Sequence, residues 1–88
     1  MWYEQYIQKV PGVQGGEPVV AGTRTPVRAV VELFRDVYPG DWQELQRSLS
    51  HLSVTQIEAA LAYYKDHPDE IDGHIERHRK ALRSLQKT

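Results

Sequence analysis

Four helix-start signals follow one another along the last two thirds of the chain. Thr25-Pro26 places a capping hydroxyl beside a proline at the first helical position, where a missing N–H costs nothing. Asp41 and Glu44 approximate a capping box, and Ser53 and Gln56 repeat the device. His67-Pro68-Asp69-Glu70 adds a proline at the first turn and two acids where the helix dipole favours them. Starts this closely spaced predict three consecutive short helices of about 11, 9 and 13 residues, then a fourth, amphipathic one.

The first 26 residues cannot join them. Pro11-Gly12, Gly15-Gly16 and Gly22 interrupt the short apolar runs Tyr3, Ile7, Val10 and Val19-Val20, a pattern of turns and a small β-hairpin. The expected fold is mainly α with a short N-terminal β-hairpin: a helix-turn-helix or winged-helix-like trihelical core plus a C-terminal amphipathic helix. Residues 1–67 are expected to form the domain and 68–88 an interaction helix.

The apolar faces predict what packs. Val27, Val30, Val31, Phe34 and Val37 form the stripe of the first helix, with Tyr38-Pro39-Gly40 ending it. Trp42, Leu45 and Leu49 serve the second, and Val54, Ile57, Leu61 and Tyr64 the third. The fourth helix carries Ile71, Ile75, His78, Leu82 and Leu85, a narrow seam of a and d type that suits one neighbouring helix or another protein.

Charge divides the chain. Residues 1–73 hold six Lys/Arg against eleven Asp/Glu, whereas residues 74–88 hold Arg77, Arg79, Lys80, Arg83 and Lys87 against Glu76. An acidic body with a basic tail favours an acidic partner, a membrane face or nucleic acid, or simply a solvated helix end matching the dipole. A chain of 88 residues buries a modest core, so a second copy or a partner is expected to add buried area. With no cysteine and no apolar run near the length of a membrane span, the expected setting is cytoplasmic, with no membrane crossed or entered. The opening MWYEQYIQKV likewise lacks the apolar stretch of a signal peptide.

No arrangement of residues points to an enzyme or to a cofactor. The glycines lack the Lys-Ser/Thr ending of a phosphate loop, and the acids at 69–72 are those of a helix start. His67, His74 and His78 are better read as surface or interface histidines than as zinc ligands. If the third helix enters a major groove, Ser53, Thr55 and Gln56 are the base-edge readers, with Arg24, Arg28 and Arg47 as phosphate contacts. The acidic body opposes strong unaided DNA binding. For Arg24 the alternative is structural, a guanidinium that locks the turn before the first helix, where Thr23 also bonds the backbone.

The block Gly15-Gly16-Glu17-Pro18-Val19-Val20-Ala21-Gly22-Thr23-Arg24-Thr25-Pro26-Val27, followed by Leu52-Ser53 and Ala59-Ala60-Leu61-Ala62-Tyr63-Tyr64, resembles the domain of unknown function 433 family. The resemblance covers roughly residues 5 to 67, and Gly-Thr-Arg-x-Pro-Val is its specific part. It implies a VapB-like antitoxin module that forms a homodimer, neutralises a PIN-like ribonuclease toxin and represses its own operon. Such a toxin holds its divalent metal with acidic side chains. The fourth helix then suits an arm along it, with Ile71, Ile75, Leu82 and Leu85 docking and Arg77, Arg79 or Arg83 approaching the acidic pocket. The rival use of the seam is a homodimer with His78 facing its counterpart. Two other functions remain open: a stand-alone DNA-binding transcription regulator, and a small oligomeric adapter with no nucleic-acid role.

Overall fold

The computed structural model describes residues 1–86. Strands β1 (Ile7–Gln8) and β2 (Val19–Val20) pair antiparallel, with Ile7 opposite Val20 and Gln8 opposite Val19. Four helices follow: α1 (Val27–Glu32), α2 (Trp42–Ser48), α3 (Val54–Asp66) and α4 (Pro68–Gln86). The architecture is therefore mainly helical with a small N-terminal sheet.

Residues 18–27 wrap back on themselves before α1 begins. The Val20 N–H donates to the Thr25 carbonyl (2.9 Å) and the Val27 N–H to the Pro18 carbonyl (2.9 Å). Gly22, at φ +79°, makes the reversal in a conformation that side chains resist. The Thr23 hydroxyl donates to the Val20 carbonyl (2.8 Å) and accepts from the Thr25 N–H (3.0 Å). This pairing holds Thr25 in extended chain, so it does not cap α1; Pro26 occupies the N-cap position with no side-chain cap. The Thr25 hydroxyl instead forms a 2.7 Å hydrogen bond with His51 Nε2 in the turn between α2 and α3.

The stripe of α1 holds for Val27, Val30 and Val31, all fully buried, and then fails: Phe34 is 42% and Val37 55% exposed. Residues Leu33–Val37 form a π-helical turn, closed by the Tyr38 N–H on the Leu33 carbonyl at 2.8 Å. One extra residue in that turn rotates the later side chains outward, and Leu33 packs against the core instead. In α2, Asp41 caps as expected by accepting from the Glu44 N–H (3.1 Å), while the Glu44 carboxylate turns to Arg47 rather than closing a box.

In α3 the capping box is complete. Ser53 Oγ accepts from the Gln56 N–H at 3.1 Å, and Gln56 Oε1 accepts from the Ser53 N–H at 2.7 Å. Ile57, Ala59 and Ala60 are buried, and Leu61 and Tyr64 pack on the core, but Val54 is left out because the first turn of α3 is exposed. Ile71 and Ile75 of α4 complete the same core as Val20, Val27, Val30, Val31, Leu45, Leu49, Leu52, Ile57 and Ala60. The opening turns of α4 thus belong to the body, each buried isoleucine contributing roughly 1.5–3 kcal/mol of transfer free energy.

Candidate functional site

Two surfaces hold the residues that the sequence singles out. The first is built by α2, the Leu49–Ser53 turn and the start of α3. Ser53 and Thr55 are exposed there, with Gln56 half-buried. The capping box engages the Ser53 and Gln56 side chains, so Thr55 has the least committed side chain of the three. The bond between Thr25 and His51 sets the loop that bears Arg24 against this turn. Arg24 is exposed and, among the described residues, its side chain makes no hydrogen bond or ion pair, so it does not lock the turn. Gln14 holds the turn from outside, its Nε2 donating to the Arg24 carbonyl (3.1 Å).

The other two candidate phosphate contacts are differently engaged. Arg28 is nearly buried, its Nε 2.9 Å from Glu17 Oε1, an ion pair too oblique to count as a hydrogen bond. It fastens α1 to the loop before β2 and is withdrawn from any phosphate. Arg47 is open to solvent and pairs with Glu44 one turn earlier, an exposed pair of little energetic weight.

The second surface is the outer half of α4. Ile71 and Ile75 are buried in the protein's own core and are therefore unavailable as docking residues, contrary to the reading of the seam as one continuous interface. The same stripe continues through half-buried His78 to Leu82, 45% exposed, and Leu85, also exposed. Arg79 does not lead toward a partner either. Its Nη2 donates to Asp36 at 2.8 Å and lies 3.6 Å from Glu32, which clamps α4 to the π turn. Arg77 donates to His74 Nδ1 (3.0 Å), and Arg83 makes a long contact with Glu76 (3.5 Å). Lys87 lies outside the described residues.

The clamp is one end of a larger network. Arg35 donates to Asp36, to Asp72 (3.2 Å) and to the Tyr64 hydroxyl (3.1 Å), and Tyr64 donates in turn to Asp72 (2.9 Å). Arg35, and less strongly Arg79, hold the Asp36 carboxyl below the usual carboxylate range, while the Arg35 guanidinium is pushed up by its bond to Asp36. The π turn is what presents Arg35 and Asp36 to α4, so the departure from α-helical winding has a structural use.

Sequence reasoning missed a third cluster. Tyr3, although at the edge of the chain, is buried and donates to Asp66, and Tyr63 donates to Glu70, which also takes Lys9 at 2.7 Å. Both phenols are pushed up from their ordinary value, Tyr3 to about 12 mainly by its bond to Asp66, Tyr63 by burial and then by its bond to Glu70. Burial opposes ionisation of Glu70, yet the bonds from Lys9 and Tyr63 prevail and hold it low. The available signal was the run Tyr63, Asp66, His67, Glu70, which brings carboxylates and rings together across the break between α3 and α4. Among the described residues no group of three or more His, Asp or Glu could hold a metal, and no helix is long and apolar enough to cross a membrane.

These elements are found in other proteins. A crystal structure of a DUF433 member protein from Anabaena variabilis ATCC 29413 matches with a TM-score of 0.73 and 32% identity, covering 85% of this chain and 72% of that one. No curated protein matches the chain. The family model described as "Protein of unknown function (DUF433)" matches residues 7–64, which takes in both strands, α1, α2 and nearly all of α3. The chain therefore belongs to the DUF433 family.

Proposed function

We propose that this protein is an antitoxin that binds and neutralises a PIN-like ribonuclease through the outer half of α4. The observation that carries the reading is the change along one stripe, from Ile71 and Ile75 inside the core to Leu82 outside it. Arg77, Lys80 and Arg83 flank that outer end, so an apolar contact is ringed by positive charge. Such an arm suits an acidic nuclease surface, where Arg77 or Arg83 competes for the carboxylates that hold the metal. A truncation ending at Arg79 keeps Ile75 and the clamp to Asp36, and so preserves the fold. It should lose inhibition of a cognate PIN-like nuclease that the full chain inhibits; full inhibition by the truncated chain overturns the reading. A homodimer through the same stripe, with His78 at its centre, would appear as a sedimenting dimer abolished by Leu82→Asp.

Repression of its own operon is the second part of the proposal, with α2 and α3 as a helix-turn-helix or winged-helix-like reader. The observation in favour is uncommitted Arg24, carried by a loop bonded to the turn that opens α3, beside exposed Thr55. A salt titration on the upstream DNA tests it, because a phosphate interface loses affinity steeply as salt rises. DNA binding in the absence of any toxin-binding activity would favour a stand-alone regulator; retention of neither leaves an oligomeric adapter.

A further inference from the structure

Between the N-terminal segment and the end of α3 lies a cleft of about 350 Å³, lined chiefly by Tyr3, Glu4, Ile7, Lys9, Tyr63 and His67. It is separate from both surfaces described above, and its size is that of a small-ligand site. Three rings, those of Tyr3, Tyr63 and His67, form part of its wall. The His67 ring lies 4.5 Å from that of Tyr63 at an interplanar angle of 36°, and Tyr3 meets Tyr63 edge-on at 6.1 Å.

Both tyrosine hydroxyls are spent on carboxylates, Tyr3 on Asp66 and Tyr63 on Glu70. A phenol that donates to a carboxylate keeps its proton but has its O–H polarised by the anion, which makes its ring face more negative. Such faces attract cations electrostatically. The surrounding charges are mixed, with one more negative than positive. Three carboxylates (Glu4, Asp66, Glu70) meet two cationic groups: Lys9, already 2.7 Å from Glu70, and the amino terminus, 3.5 Å from Glu4. Asp66, which bonds Tyr3 but does not itself line the cleft, leaves this group with one negative charge in excess, and an anion would find no uncommitted cation among these groups.

We propose that this cleft binds a small organic cation of the quaternary ammonium or guanidinium class, seated against Tyr3, Tyr63 and His67. The proposal is independent of the antitoxin reading. Its test is a titration of the full chain with choline and with its neutral isostere 3,3-dimethylbutan-1-ol, followed through the ring-proton NMR signals of Tyr3 and Tyr63. Choline should bind at least about 5-fold more tightly than the alcohol. Lys9→Met, at an exposed position, should strengthen choline binding about 3-fold by removing a resident ammonium. Methylguanidinium and N-acetylargininamide distinguish the source: tighter binding of the second assigns the site to an arginine side chain on a peptide, the reverse to a free cation. Equal affinity for choline and the alcohol, weaker choline binding by Lys9→Met, or unmoved tyrosine signals at about 10 mM choline would overturn the proposal.

Discussion

Arg28 and Glu17 meet at 2.9 Å with both side chains almost out of solvent, and through them α1 is joined to the glycine-rich loop before β2. Removing one partner strands the other charge in a poorly solvated place. Arg28→Ala should therefore cost about 2–3 kcal/mol of stability in urea unfolding. The double substitution Glu17→Leu with Arg28→Met should recover most of that loss, since two apolar chains of similar size need no solvation. If the double variant is no more stable than Arg28→Ala, the cost comes from packing and not from the charge.

The reciprocal bonds of Ser53 and Gln56 satisfy amides at the start of α3, the helix that packs most extensively on α1. Ser53→Ala removes the acceptor for the Gln56 N–H and should lower stability by about 1 kcal/mol, whereas Ser53→Asp should be close to neutral. Thermal unfolding followed by circular dichroism measures both.

The helix starts were legible because capping is local: Ser53 and Gln56 need only each other, and their box is complete in the structure. Contacts that depend on distant chain were not. Thr25 has the chemistry of a cap, but the pairing of residues 18–27 engages its backbone and His51 takes its hydroxyl. Phe34 and Val37 fit a helical period of 3.6, which a π turn breaks without any glycine or proline to announce it. In α4 the seam has one pattern from Ile71 to Leu85, and nothing in that pattern marks where the body ends; only the position of α1 divides the buried isoleucines from Leu82. In the sequence Tyr3 belongs to a short apolar run, and its partner Asp66 lies at the far end of α3.

The tyrosine–carboxylate bonds predict an alkaline limit. Tyr3 ionises near pH 10 when unfolded, and its bond to Asp66 pushes it up to about 12 in the folded chain. A folded-state value that is raised means stability present in full below pH 10 and lost as pH rises toward 12. Tyr63 acts in the same direction. Tyr3→Phe should flatten the decline between those limits and remove one late-titrating phenol from the tyrosinate absorbance curve. At the acid end the sign reverses. Asp36 is held below its ordinary value of 3.8 by Arg35 and Arg79, so its contribution is present above that pH and lost as pH falls through the lowered value. Asp36→Asn should weaken the acid dependence.

Ile71 and Leu82 occupy the same stripe of α4 on opposite sides of the body's edge, and their substitutions should separate folding from binding. Ile71 is fully buried, so Ile71→Ala leaves a cavity and should cost about 2–4 kcal/mol. Leu82 is nearly half exposed, and Leu82→Asp should change stability by no more than about 0.5 kcal/mol. If the outer half of α4 is the arm that neutralises a nuclease, Leu82→Asp should abolish inhibition with the unfolding curve unchanged. Ile71→Ala should lower the unfolding midpoint yet inhibit normally at temperatures where it is folded. The opposite pattern, with inhibition lost through Ile71→Ala in the folded state and kept by Leu82→Asp, would place the partner contact on the body instead. Urea titrations and a nuclease assay on the same preparations read both quantities. The comparison is meaningful because Arg79, clamped to Asp36 between the two positions, keeps α4 on the body in both variants.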